Sequence, residues 1–146
     1  HFRLGHSRLG YFRLGHFRLG HFRLGHFRLG HFQLGHIRLG HIFAHDGRIQ
    51  MTFSRIGDAP ERCLHCEVVP ADVCADWRFG PVSDLLRPAP SWEGGDLPMR
   101  PSIMGTAWDR LHELRDPALF TDNGQVYIAY CGGVESGLGI ARVDGL

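Results

Sequence analysis

The first forty residues repeat every five. Eight units, mostly His-Phe-Arg-Leu-Gly, run from His1 to Gly40, with Ser7 and Ile37 replacing Phe, Tyr11 replacing His and Gln33 replacing Arg. His41-Ile42 opens a ninth unit that decays into Phe43-Ala44-His45. A period of five restricts the backbone severely. On an α-helix the Phe and Leu of one unit sit about 200° apart, so no apolar stripe forms. Gly in every unit also costs about 1 kcal/mol relative to Ala. A flat strand places Phe and Leu of one unit on one face, but the odd period sends the next pair to the opposite face. A chain that turns once per unit satisfies the period, as a square β-solenoid with Gly near the corner.

The frame Gly-His-Phe-Arg-Leu resembles that of pentapeptide-repeat proteins, departing from it in carrying Leu where they usually place a polar residue. Eight units make about two coils, fewer than stacked repeats need for stability. The expectation for residues 1–45 is therefore a low-complexity segment that is disordered or a short β-solenoid. The alternative is a recently expanded or wrong-frame tract with no selected structure. Seven of the eleven His lie in these forty residues, but no Cys or carboxylate accompanies them to complete a metal site.

Charge divides the chain at the same place. The net charge is +1, yet residues 1–40 hold seven Arg and no acid. The remainder holds nine of the sixteen basic residues against all fifteen acids, a balance of −6. The basic tract is read as facing the acidic part of its own chain, and nucleic acid is not the expected partner. No apolar run reaches the roughly 18 residues of a membrane helix. No signal-peptide pattern is present, which points to a cytoplasmic location and no membrane partner. Four Cys in 146 residues do not make a disulfide framework.

From Asp46 onwards the pattern is that of short strands. Asp46-Gly47 is a hairpin signal. Arg48–Arg55 alternates, with Ile49, Met51 and Phe53 on one face, and Cys63–Val69 reads as the next strand. Between them Arg55-Ile56-Gly57-Asp58-Ala59-Pro60-Glu61-Arg62 reads as a charged loop, with Arg55 and Arg62 as partners of Asp58 and Glu61. Residues 81–86 suggest an outer strand. Three apolar runs then close the chain at 117–121, 125–131 and 138–143, separated by Asp122-Asn123-Gly124 and Gly132-Gly133. In the middle run both alternating sets are largely apolar, the mark of a strand covered on both faces. This spacing fits one blade of a propeller or one wall of a sandwich.

Arg115-Asp116-Pro117, the turn ending in Gly124, Val126–Tyr130 and Gly137–Ala141 together resemble a blade of the five-bladed β-propeller glycoside hydrolases, the superfamily of families 32 and 43. Residues 55–62 and Trp92-Glu93-Gly94 extend the resemblance to uncharacterised bacterial proteins near those hydrolases. It covers roughly residues 47–143. It implies an all-β fold, a partial propeller of about two blades over residues 46–146, after the repeat of 1–45. A complete propeller is about twice this length. It implies carbohydrate as the partner and no cofactor.

Glycoside hydrolysis uses two carboxylates, one of them a proton donor. The candidates are Asp116 and Glu135 as catalytic acids, with Arg115, Arg55, Asp58, Glu61, Arg62 and Trp92 contacting substrate. Asp116 is expected to be braced by Arg115 and to stay ionised, leaving Glu135 or an acid on another blade as donor. Two blades enclose no complete site, so the 146-residue chain is expected to bind rather than turn over. The alternative is a non-catalytic binding or structural chain. Cys63-Leu64-His65-Cys66 invites a zinc reading, but strand positions three apart face opposite ways, so no metal site is expected there.

Overall fold

The computed structural model describes residues 25–29, 32–72, 76–105 and 107–146. The fold is all-β, with no α-helix among the described residues. One sheet holds β1 (Gly25–Leu29), β2 (Phe32–His45), β3 (Arg48–Arg55), β4 (Cys63–Val69) and β5 (Arg78–Phe79) in that order, with β6 (Ser83–Leu86) also on β4. It curls into a half-barrel. The second sheet is the meander β7 (Leu114–Asp122), β8 (Gln125–Gly132), β9 (Gly137–Val143). All pairings are antiparallel.

Turn chemistry sets the hairpins. Asp46 and Gly47 have φ of 47° and 76°, and Asn123 and Gly124 have 48° and 76°. Both pairs supply the two positive φ values that a tight hairpin turn with native twist requires. On β3 and β4 the alternating residues meet face to face, Met51 opposite Cys66 and Phe53 opposite Leu64, all at most 2 % exposed. Each such side chain contributes about 1.5–3 kcal/mol by leaving water. The expected outer strand at 81–86 is shorter, and a further short strand precedes it. β6 covers 83–86, and β5 extends the same edge of β4, with Gly80 N–H donating to Glu67 O between them.

The repeat corrects the expectation of a solenoid or a disordered tract over the residues described. β1 and β2 are consecutive repeat units paired as a hairpin, and β2 pairs in turn with β3. The expected domain boundary at 45/46 therefore falls inside a hairpin. The odd period is absorbed by bulges. The register slips by one residue between Gln33 and His36 on the β1 side and between Ile37 and Gly40 on the β3 side, one slip in each of the two complete units that β2 spans. A bulge adds a residue to one strand only, so five residues span an even pairing interval and the apolar phase is kept. Ile37 and Gly40, three apart, consequently share a face, and Ile37 is 1 % exposed. Gln33, at the one position where a unit lacks Arg, lies opposite Arg28. Residues 1–24, with most of the repeat and the possible His sites, lie outside the described residues.

Two cores result. Ile37, Met51, Phe53, Leu64, Val68 and Trp77 pack together on one side of the first sheet. Leu119, Val126, Ile128 and Tyr130 of the second sheet pack onto its other side, against Cys63 and Phe43. His41 Nδ1 accepts the Leu119 N–H at 3.1 Å, and Thr52 Oγ1 donates to Pro117 O at 3.4 Å, tying β2 and β3 to β7.

The hairpins β2–β3 and β7–β8 are copies of each other, offset by 77 residues. Ile37 pairs with Arg55 as Leu114 pairs with Gly132, and His41 with Thr52 as Ala118 with Ala129. The turns are equivalent, and each ladder takes up its one extra residue around equivalent positions, 39 and 116. Arg38 of the first copy corresponds to Arg115 of the second.

Candidate functional site

The two equivalent arginines converge on one carboxylate. Arg38 grips Glu61 with two hydrogen bonds, Nε to Oε1 at 2.7 Å and Nη2 to Oε2 at 3.1 Å. Ser54 Oγ donates to the same Oε1 at 2.6 Å. Arg115 Nε stands 3.9 Å from Glu61 Oε2, and its Nε and Nη2 donate to Glu113 Oε2 at 2.8 and 2.5 Å. Glu61 and Arg115 are fully buried, and Glu113 is nearly so. Buried charges persist only when paired and hydrogen-bonded, and this cluster meets that condition. The segment 102–105 closes over it. The Ile103 carbonyl accepts from Arg38 at 2.9 Å and the Gly105 carbonyl from Arg115 at 3.4 Å. A shallow cleft of about 220 Å³ lies beside Glu113, lined by Pro98, Arg100, Pro101, Ile103, Leu111 and His112.

Asp116 sits at the edge of this cluster, and its surroundings correct two expectations. Arg115 makes no hydrogen bond to it, since the guanidinium is turned to Glu113, and it acts on Asp116 only through space and less than Arg38 does. Nor is its pKa depressed. Burial raises the Asp116 carboxyl above the ordinary aspartate value; Arg38 opposes this and Glu135 adds to it. Asp116 has φ of 53°, the left-handed region that non-glycine residues rarely enter. Its half-buried carboxylate makes no hydrogen bond or ion pair with the described residues. Glu135 is exposed in the β8–β9 turn, and Cys131 faces both carboxylates, its thiol pKa raised by burial, then by Asp116 and Glu135.

The other candidates are placed as follows. Asp58 is held by Arg62 at 2.8 Å and Arg55 at 3.4 Å, as the sequence suggested. Glu61 is not a partner of Arg55 or Arg62, since it points inward to Arg38 while Arg62 turns outward to Asp84 at 2.7 Å. Trp92 is 41 % exposed. Its ring lies over a floor of three glycines and stacks on Tyr130 at 6.0 Å. A Cβ at Gly132 would meet the ring at 2.5 Å and one at Gly139 at 2.7 Å. The neighbouring Glu93 is buried, accepting the Tyr130 O–H at 2.6 Å and the Ala89 N–H at 3.0 Å. Trp92 and Glu93 thus anchor the 87–113 loop to the second sheet.

Cys63 and Cys66 belong to the two different cores and face opposite sides of β4. Burial pushes both thiols up, Cys66 to about 11, so neither is a thiolate ligand near neutral pH. Among the described residues no group of three His, Cys, Asp or Glu is arranged to hold a metal. No helix among them is long and apolar enough to cross a membrane.

Arg38, Glu113 and Ser54 escaped the sequence reading. Arg38 was hidden as one of seven like arginines in the repeat. A signal existed, since Arg38 precedes Asp46-Gly47 by the same interval as Arg115 precedes Asn123-Gly124. Chemically, both guanidiniums are committed to carboxylates and cannot clamp an anion. Asp116 and Glu135 are the carboxylates beside this cluster that no described residue holds. Burial around Asp116 favours its protonated form.

The molecule is thus an all-β protein of two packed antiparallel sheets with a carboxylate pair at the strand starts. No protein-family profile and no solved structure matches it. It is 37 % identical over 91 residues to uncharacterized protein R118 of Acanthamoeba polyphaga mimivirus. The match takes in 62 % of this chain but only 26 % of that protein, so the chain spans about a quarter of the relative's length.

Proposed function

We propose that this chain is part of a carbohydrate-binding β-propeller protein resembling the five-bladed glycoside hydrolases, and that the start of β7 forms one wall of the sugar cleft. The observation that carries this reading is Asp116. A half-buried carboxylate, held at positive φ on a bulge and without a hydrogen-bond partner among the described residues, is open to an outside donor. Sugar hydroxyls supply such donors. The copied hairpins support the propeller part of the reading, since neighbouring blades repeat one strand pattern around an axis.

In this reading Arg38, Glu61, Arg115 and Glu113 are the rigid support, and Asp116 with Glu135 makes the contact. Burial raises the Asp116 carboxyl, which favours its protonated form. The function of the chain itself is binding without turnover, because a hydrolytic site needs acids from further blades around a closed ring. The test is a glycan array followed by calorimetry on the glycans retained. Asp116→Asn is expected to weaken binding at least tenfold. An array with no retained glycan, or unchanged affinity in Asp116→Asn, would remove the reading. Turnover of aryl-glycosides by the 146-residue chain would overturn its binding-only part.

A further inference from the structure

The chain contains a single asparagine, and a glycine follows it. Asn123 and Gly124 form the tip of the β7–β8 hairpin, just beyond Asp122 and Gln125, the last pair of that ladder. Asp122, Asn123 and Gly124 are all exposed, and a Cβ added at Gly124 would meet nothing within 4 Å. Among the described residues the Asn123 amide makes one long contact, Nδ2 donating to Asp122 Oδ2 at 3.4 Å.

These conditions suit a reaction of the chain with itself. The side-chain carbon of an asparagine and the backbone nitrogen of the next residue close a five-membered ring when they bond. At Gly124 no side chain obstructs that nitrogen. Once the Gly124 N–H has given its proton to water, the nitrogen attacks Asn123 Cγ. The N–Cγ bond forms, the Cγ–Nδ2 bond breaks, and Nδ2 takes up a proton and leaves as ammonia. Water then opens the ring. Cleavage of N–Cγ gives aspartate, and cleavage at the main-chain carbonyl gives isoaspartate, whose chain runs through the side chain. One water enters, one ammonia leaves, and nothing is oxidised or reduced.

The copied hairpin shows which product fits. Asp46-Gly47 is the same turn in the first copy, with φ of 47° and 76° against 48° and 76° at Asn123-Gly124. An aspartate is therefore already accommodated at the equivalent position. Isoaspartate lengthens the main chain by one atom, which a two-residue turn absorbs only by breaking the pairs Asp122–Gln125 and Thr121–Val126. The charges around the two turns differ. Asp46 lies 3.5 Å from His45, whereas the neighbour of Asn123 is Asp122. Conversion thus sets two carboxylates side by side and lowers the formal net charge from +1 to zero.

We propose that Asn123-Gly124 is a self-modifying turn, in which slow backbone-assisted deamidation by water converts Asn123 to the aspartate that the first copy already carries. The ring excludes the ψ of about 30° at the first central position of such a turn, so closure runs through an opened tip. Opening costs little where nothing packs on the tip. The inference stands whether or not Asp116 binds sugar.

The experiment incubates the full chain at neutral and mildly alkaline pH, in native buffer and in urea. Asn123 is followed by peptide mass spectrometry and by released ammonia, with Asn123→Asp as the product standard. Asn123 is expected to convert in the folded chain, faster as pH rises and roughly tenfold slower than in urea. Asn123→Asp is expected to keep the parent's strand signal in circular dichroism. A folded chain that stays unconverted while the chain in urea converts fully overturns the proposal. So does a rate that ignores pH, because the nitrogen must first lose its proton. Loss of the strand signal in Asn123→Asp would overturn the assignment of aspartate as the product that the turn accommodates.

Discussion

At the residue scale the molecule is ruled by a few buried charges. Arg115 has no exposure and its donors are spent on Glu113 and, at longer range, Glu61. Removing one partner of such a cluster leaves an unpaired buried charge. Arg115→Ala is therefore expected to cost about 3–5 kcal/mol in urea unfolding. Asp116 should behave in the opposite way. Its carboxyl pKa is raised in the folded state, so its contribution to stability is fully present below the unfolded value and is lost as pH rises through the folded one. Asp116→Asn is expected to leave stability near pH 7 unchanged or higher, and to flatten its fall between pH about 4 and neutrality. A large loss of stability on this substitution would show that Asp116 has a structural partner.

At the element scale the interface of β2 with β7 hangs on a histidine that must stay neutral. His41 Nδ1 accepts a backbone N–H, and burial lowers the ring's pKa below its ordinary value. A depressed histidine pKa gives stability that is complete above the unfolded value of about 6.5 and is lost as pH falls through the folded one. His41→Asn keeps an acceptor without a titrating ring. It is expected to flatten the fall of melting temperature between pH about 6.5 and 5, and an unaltered slope would assign the acid sensitivity elsewhere. The glycine floor makes a second prediction. Gly132→Ala puts a Cβ 2.5 Å from the Trp92 ring, so the ring must move off the sheet. Overpacking of this kind costs about 1–3 kcal/mol. A red shift of tryptophan emission should accompany that loss, and emission unchanged from the parent would place Trp92 elsewhere.

At the scale of the whole molecule, two sheets bury one face against each other and leave another bare. Leu138 and Ile140 stand in water beside the open edge of β9. Exposed strand edges next to apolar surface promote aggregation. The chain should therefore bind an apolar dye and aggregate on heating, whereas Leu138→Lys with Ile140→Lys should lower dye binding and raise the onset of aggregation by several degrees. A parent chain that stays monodisperse through a single sharp thermal transition would contradict this.

The strands after residue 46 were legible from sequence because turn residues and two-residue alternation are local. Asp46-Gly47 and Asn123-Gly124 must turn the chain, and Ile49, Met51 and Phe53 must share a face. So was the isolation of Cys63 from Cys66, which follows from strand parity alone. The period of five was also legible, but its resolution was not. A bulge per unit costs local pairing that only a neighbouring strand such as β3 can offset, and that neighbour is set by tertiary structure. Likewise, adjacency in Arg115-Asp116 suggested an ion pair. The guanidinium turned to Glu113 instead, and burial reversed the expected direction of the aspartate's pKa. Sequence determined where the chain turns and which residues alternate. Tertiary structure decided which charges meet, because partners such as Arg38 and Glu61 lie on different strands and loops and come together only when the sheets close.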